Sequence, residues 1–107
     1  MKQGNLLEGV PSHLPDELIE GLAEGTGRFR LERIVSRNHA SPEDFWYQQE
    51  TIEWVALVAG SAVLQFDPDE TRVLSPGDWV EIPPGVRHRV ESTSSTEDTI
   101  WLALHWQ

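Results

Sequence analysis

Short, largely apolar stretches separated by glycine and proline are the feature that most restricts how this chain can fold. In chain order the stretches are RFRLERIV, TIEWVALVAG, SAVLQF, TRVL, WVEIP, RHRVEST and TIWLALHW. Many short strands with turn residues at regular spacing are typical of an all-β sandwich or a closed β-barrel. The sequence shows neither a strand–helix–strand rhythm nor a solenoid repeat, so we predict an all-β fold.

The N-terminal region has a different pattern, which predicts a short helix. The segment PDELIEGLAEG has Pro15 in a position suited to a first helical turn, acidic residues next to it, and Gly25 as a stop. Its apolar residues fall on one helical stripe: Leu18, Ile19 and Leu22. We therefore predict an arm and short helix over residues 1–27 and a barrel over residues 28–107, together forming a single domain.

Composition argues against several classes of partner. The 107 residues include 18 acidic and 8 basic side chains, which gives a net charge of −10. A field of this sign repels nucleic-acid phosphates and anionic lipid surfaces. The chain has no cysteine, which excludes disulfides, thiolate nucleophiles and cysteine-type zinc sites. Without a secretory pattern or a membrane-spanning apolar run, we expect a cytoplasmic protein that binds neither nucleic acid nor membranes.

The segment PPGVRHRV places one histidine just beyond a rigid corner. Pro84-Gly85 suits the centre of a type II turn, because proline presets φ and glycine accepts a positive φ. On the strand that follows, His88 and Val90 share one face, and two arginines and a glutamate share the other. We predict that His88 points inward, either as a satisfied core histidine or as a metal ligand or base.

A glutamate on an otherwise apolar strand face is the second candidate. Glu53 shares a face with the valine and leucine of TIEWVALVAG, and an unpaired carboxylate there costs several kcal/mol. Together with His88 and the amide of Gln49, which has the same phase, it could hold a divalent cation. Alternatively, Glu53 could pair with an inward Arg33.

Two further features bear on a cavity and on assembly. His105 lies in phase with Trp101 and Ala103 on the last strand, so it is either a further ligand, an acid/base or a core histidine. Tryptophan on strands mostly fills a core or an interface. Trp54 and Trp79 suit an interface best, because Trp54 lies on the face opposite the glutamate. We expect a homodimer formed by sheet packing.

The spacing of residues around the corner resembles the second motif of the cupin superfamily, G-x5-P-x-G-x2-H-x3-N. Gly77, Pro83, Gly85 and His88 match it, and Ser92 stands where asparagine is usual.

The first cupin motif ends in E-x6-G, which Glu53 and Gly60 match. Its usual histidine pair falls on Tyr47 and Gln49, or on Trp46 and Gln48 with a longer gap, so neither alignment supplies a histidine.

This resemblance implies a double-stranded β-helix, the jelly-roll cupin barrel, around a cavity. Cupins bind Fe, Mn, Zn, Ni or Cu through the motif histidines and glutamate, and only Glu53 and His88 carry over directly. With Gln49 in place of one imidazole, the implied set is His88, Glu53 and Gln49, which is harder than three imidazoles and suits Fe or Mn better than copper. The resemblance therefore implies Fe, Mn or Zn as the divalent metal.

The implied function is metal-dependent oxygenation, isomerisation or decarboxylation of a small organic molecule. His105 or Tyr47, expected at the cavity rim, would act as acid/base. One alternative is a non-catalytic module that binds or senses a small ligand in the barrel. Another is a structural dimer whose cavity is filled by tryptophan.

Overall fold

Eight antiparallel strands make up the regular structure of the chain in a computed structural model that describes residues 5–24 and 26–107. The strands are β1 (Leu18–Glu24), β2 (Phe29–Ser36), β3 (Ile52–Ala59), β4 (Ala62–Phe66), β5 (Glu70–Leu74), β6 (Trp79–Ile82), β7 (His88–Thr93) and β8 (Thr99–Trp106). They form a five-stranded sheet in the order β1-β2-β8-β3-β6 and a three-stranded sheet in the order β5-β4-β7. This confirms the predicted all-β jelly roll.

The core lies between the two sheets. Leu57 and Trp101 from the larger sheet pack in one buried cluster with Leu64 and Phe66 from the smaller sheet. The alternation seen in the sequence generates this arrangement, because every second side chain of a strand points to the same face. Within the described ranges, no helix is long and apolar enough to cross a membrane.

The predicted N-terminal helix is wrong, because its residues form β1. This strand pairs antiparallel with β2, placing Leu18 opposite Val35 and Glu20 opposite Arg33. Pairing with β2, the next strand in the chain, covers the edge that β2 would otherwise leave open, and this gain outweighs a short helical pattern. The predicted stop at Gly25 and the first four residues of the arm lie outside the described residues.

The inward face of β2 is the opposite of the one predicted. Register places Arg30, Glu32 and Ile34 opposite the inward residues of β8, whereas Arg33 faces outward. There Arg33 pairs with Glu20 and donates to the carbonyl oxygen of Glu8 at 2.6 Å, so it is not the partner of Glu53. The arm thus covers the outer face of β2, which leaves both faces partly buried and makes the alternation ambiguous.

The corner before β7 has the predicted turn. Gly85 has a φ of 81°, and the Val86 amide donates to the Pro83 carbonyl oxygen at 3.4 Å. Residues 47–49, which we name the strap, run along this corner. The Tyr47 amide donates to the His88 carbonyl oxygen at 2.7 Å, and the His88 amide donates to the Tyr47 carbonyl oxygen at 2.9 Å. The Gly85 amide donates to the backbone carbonyl oxygen of Gln49 at 2.8 Å. The strap and the start of β7 are therefore fixed to each other.

Candidate functional site

A cavity of about 200 Å³ lies between the sheets and receives all five side chains singled out from the sequence. These are Tyr47, Gln49, Glu53, His88 and His105. Apolar side chains, including Trp101, Val55 and Leu64, form the rest of its wall together with further glutamates. The site therefore combines a small number of polar side chains with a largely apolar lining, which is the usual character of a small-molecule site.

His88 and Glu53 meet across the cavity from different sheets. Their Nε2 and Oε1 atoms are 3.2 Å apart, and the side chains are 7% and 13% exposed. On the other side of the ring, His88 Nδ1 lies 3.0 Å from the Val86 carbonyl oxygen, which can only accept, so Nδ1 carries a hydrogen. The neutral ring would thus present a lone pair to a carboxylate. The contact is favourable only when a proton or another cation lies between the two groups.

The surroundings of His88 favour protonation of its ring. Burial lowers its pKa, but the hydrogen bond to Glu53, the bond to the Val86 carbonyl and the charge of Glu53 outweigh that effect. The net result is a pKa raised above the ordinary value of 6.5. His88 and Glu53 therefore form a buried ion pair that persists to higher pH than the charge of a free imidazole.

A second imidazole lies on the other side of Glu53. His105 Nε2 is 3.6 Å from Glu53 Oε2 and 3.2 Å from Glu32 Oε1. The His105 side chain is only 4% exposed, so it lies inside the cavity wall and not at the rim as expected. Arg30 Nε in turn donates to Glu32 Oε2 at 2.8 Å. The result is a continuous row of charged and polar groups, which we name the polar row: Arg30, Glu32, His105, Glu53 and His88.

Sequence reasoning missed Glu32 and Arg30. The available signal was that Glu32 shares a phase with Ile34, but Phe29 and Leu31 on the opposite phase looked more like a core face. Only the register with β8, which sets Glu32 opposite Ala103, decides which phase points inward.

Tyr47 and Gln49 reach the cavity from the strap. The Tyr47 ring stacks on His88 with centroids 5.6 Å apart and an interplanar angle of 24°. Burial, followed by the charges of Glu17 and Glu53, raises the pKa of the Tyr47 hydroxyl, which therefore stays protonated. Gln49 Oε1 is buried and finds no hydrogen-bond partner among residues 5–24 and 26–107.

These residues fit a divalent cation, provided that the amide of Gln49 takes part. His88 has the arrangement of a metal-binding histidine, with Nδ1–H held by a carbonyl and Nε2 directed at the site. His105 lacks this support, because its Nδ1 is buried without a partner among the described residues. The described part of the chain contains no three His, Cys, Asp or Glu side chains placed to hold a metal ion. A metal would thus bind through His88, Glu53 and the otherwise unsatisfied oxygen of Gln49.

Comparison with known proteins assigns the family. The sequence model of the Cupin domain matches residues 35–105. This range includes both motif regions and three members of the polar row: Glu53, His88 and His105. The chain belongs to the cupin family. No curated protein matches this cupin at a significant level.

Solved structures support the same assignment. A "putative mannose-6-phosphate isomerase" from Ralstonia eutropha JMP134 is 44% identical, with a TM-score of 0.94, and covers 100% of this chain and 99% of its own. A cupin superfamily protein from Desulfitobacterium hafniense DCB-2 is 16% identical, with a TM-score of 0.73 over 91% of this chain and 83% of its own. The DMSP lyase DddQ from Ruegeria pomeroyi DSS-3 is 21% identical, with a TM-score of 0.70 over 85% of this chain and 47% of its own. The last two show a shared fold alone.

Proposed function

We propose that this cupin binds a small polar organic molecule in its cavity and catalyses proton transfer on it, with Glu53 as base and His88 as acid. The observation that carries the proposal is the position of the Glu53 carboxylate. Its two oxygens lie 3.2 and 3.6 Å from two buried imidazole nitrogens. An acid and a base held side by side in a cavity are the requirement for general acid–base catalysis.

The arrangement suits enolisation of a hydroxy-carbonyl compound. Glu53 takes the proton from the carbon next to the carbonyl group, and that C–H bond breaks. The electron pair moves toward the carbonyl oxygen, which receives the Nε2 proton of His88. Protonated Glu53 then returns a proton to the former carbonyl carbon, while the hydroxyl on the carbon that was deprotonated gives its proton to His88 and becomes the new carbonyl group, which yields the isomer and restores both residues. His105 and Glu32 lie behind Glu53 and hold its carboxylate in position for both steps.

The Ralstonia eutropha relative supports this class of reaction. Aldose–ketose isomerisation is a proton transfer between adjacent carbons, and that protein is named for such an activity. With 44% identity over nearly the whole of both chains, this likeness extends beyond the fold.

Deuterium exchange tests the proposal even when the reaction product is unidentified. Wild-type protein is incubated in D₂O with a panel of small hydroxy-carbonyl compounds, and loss of the C–H signal is followed by NMR. We expect exchange on at least one compound, and Glu53→Gln should slow it by about 100-fold or more, the usual contribution of a general base. Glu91→Gln, which alters an exposed carboxylate on β7, is the matched control and should leave the rate unchanged. A compound that binds without exchange would instead indicate a non-catalytic ligand-binding module.

A metal-dependent form of this function is the second candidate, and the unsatisfied oxygen of Gln49 favours it. Fe, Mn or Zn at His88, Glu53 and Gln49 would supply Lewis-acid polarisation of a ligand oxygen. This candidate extends to the oxygenase and decarboxylase chemistry implied by the family resemblance. Its test is metal analysis of the purified protein together with exchange measured after EDTA treatment. Near-stoichiometric metal that disappears in His88→Ala, but not in the exposed His13→Ala, supports it. Exchange that persists at full rate in metal-free protein contradicts it.

A further inference from the structure

The charged groups that line the cavity are mostly carboxylates. Among the described lining residues, Glu17, Glu32 and Glu53 are acidic, and the one arginine is Arg30. Arg30 is already bound to Glu32 at 2.8 Å, and its side chain is 47% exposed. His88 is likewise bound to Glu53. Among these residues each cation is therefore already paired with a carboxylate, and an anion that entered the cavity would meet the negative charge of Glu17, which has no cationic partner in the lining.

Two residues of the cavity wall contain a buried hydrogen-bond acceptor without a partner. Gln49 Oε1 is buried without a partner among residues 5–24 and 26–107, and so is His105 Nδ1. Because His105 Nε2 faces the carboxylate of Glu32, the ring hydrogen belongs on Nε2, and Nδ1 presents a lone pair. Buried polar groups in native proteins are rarely left without a partner. The lining carboxylates of Glu17, Glu32 and Glu53 are also acceptors, so the polar lining of the cavity suits a ligand with several O–H donors.

Cavity size indicates the size of the part of a ligand that the cavity can hold. A volume of about 200 Å³ is below the range of roughly 300–1,000 Å³ found for drug-sized ligands. Proteins commonly bind a phosphate group through arginine forks, a lysine or a helix N-terminus. The described lining residues offer none of these free for the purpose.

We infer that the cavity selects an uncharged polyhydroxy compound of monosaccharide size or smaller and rejects its phosphorylated counterpart. This inference rests on the proposed function and deepens it by naming the substrate class. It separates this cupin from the activity for which the Ralstonia eutropha relative is named, since a sugar phosphate carries up to two negative charges into an acidic cavity.

Binding of matched sugar pairs tests the inference directly. Isothermal titration calorimetry is performed on the purified protein with mannose and mannose 6-phosphate, and with other aldoses and ketoses against their phosphates. We expect at least one neutral sugar to bind, with its phosphate at least about tenfold weaker because of repulsion by the lining carboxylates. Equal or tighter binding of the phosphates, or binding of neither member in every pair, would overturn the inference.

A charge-removing variant identifies the cause of the selectivity. Glu17→Gln removes one lining charge and keeps an oxygen that can accept the hydrogen bond from Ser36 Oγ, which is 2.9 Å long in the wild type. It should strengthen binding of the sugar phosphate and so reduce the ratio of neutral-sugar affinity to sugar-phosphate affinity by about two- to fivefold, as expected for one partly screened charge. Glu91→Gln, exposed on β7, should leave the ratio unchanged. An unchanged ratio in Glu17→Gln would contradict the electrostatic explanation.

Binding and exchange distinguish the two proposals from each other. Preference for the neutral sugar without deuterium exchange contradicts the proposed catalysis and leaves the ligand class supported. Preference for the phosphate with exchange intact contradicts the ligand class and leaves the proposed catalysis supported.

Discussion

His88 is fixed on both sides of its ring. Nδ1 donates to the Val86 carbonyl at 3.0 Å, and Nε2 faces Glu53 at 3.2 Å. The first contact comes from the local geometry of the Pro-Gly corner, whereas the second crosses to the other sheet. The corner thus presents one particular nitrogen of the imidazole to the carboxylate, and this choice of nitrogen determines what chemistry the pair can perform.

The pair should make stability depend on pH. Because the folded-state pKa of His88 is raised, its stabilising effect is fully present below the unfolded value of about 6.5 and is lost as pH rises through the folded-state pKa. We expect Glu53→Gln to reduce the free energy of unfolding by about 1–3 kcal/mol at pH 6 and by less at pH 9, as for charged hydrogen bonds generally. Urea unfolding in EDTA measures both differences.

Asp98→Asn provides the control for this pH window. The hydrogen bond from Arg37 to Asp98, opposed by burial and aided by the arginine charge, lowers the pKa of Asp98. Its contribution is therefore lost only in acid, and the effect of Asp98→Asn should be the same at pH 6 and pH 9. A Glu53→Gln effect that is equally constant would contradict the charge assigned to His88.

The extent to which the polar row could be predicted differs from residue to residue. His88 and Glu53 were predictable because each is a polar residue on a strand face that is otherwise clearly apolar. Glu32 was not, since both phases of β2 contain apolar and charged residues. Its position depends on the pairing between β2 and β8 and on the arm that covers the outer face.

At the level of elements, the turn between β3 and β4 is more tightly enclosed than the corner before β7. Gly60 and Gly85 have nearly equal φ values, 84° and 81°. A Cβ on Gly60 would lie 2.5 Å from Thr99 Oγ1 and 2.6 Å from Thr99 Cα, whereas a Cβ on Gly85 would have no atom within 4 Å. The two positions therefore share backbone strain but differ in steric contact.

Alanine substitution should separate these two effects. Gly85→Ala should cost about 1 kcal/mol, because only the positive φ opposes a side chain. Gly60→Ala should cost about 3 kcal/mol or more, since backbone atoms of the turn before β8 must also move. Chemical unfolding measures both losses, and equal values would show that the contact with Thr99 is not restrictive.

Strand boundaries were largely predictable because glycine and proline mark them, as at Pro76-Gly77 before β6 and Pro84-Gly85 before β7. β1 was not, because nothing local distinguishes LIEGLAE from one turn or two of an amphipathic helix. What makes it a strand is pairing with the otherwise exposed edge of β2, the next strand in the chain.

At the level of the whole molecule, the outer face of the five-stranded sheet carries the most conspicuous exposed aromatic group. Trp54 and Trp79 stack there with ring centroids 5.8 Å apart, and Trp79 is 61% exposed. Tryptophan is enriched among the residues that dominate binding energy at protein interfaces. This supports the expectation of a homodimer formed by packing of this face.

Sedimentation equilibrium tests the expected dimer. Trp79→Ser should raise the dissociation constant by at least tenfold, as for removal of a central interface residue. Val73→Ser is the matched control, since Val73 is 71% exposed but lies on β5 of the other sheet. A wild-type protein that is monomeric at every concentration, or equal effects of the two variants, would contradict an interface at the tryptophans.

The cavity takes its two polar sides from different sheets. His88 and the strap belong to the side of the three-stranded sheet, and Glu53 and His105 are direct neighbours in the five-stranded sheet. An occupant that touches both sides therefore links the two sheets, and it stabilises the native state by an amount that grows with its concentration relative to its dissociation constant. Heat resistance thus reports occupancy regardless of turnover, so compound libraries can be screened by melting temperature before any reaction is known.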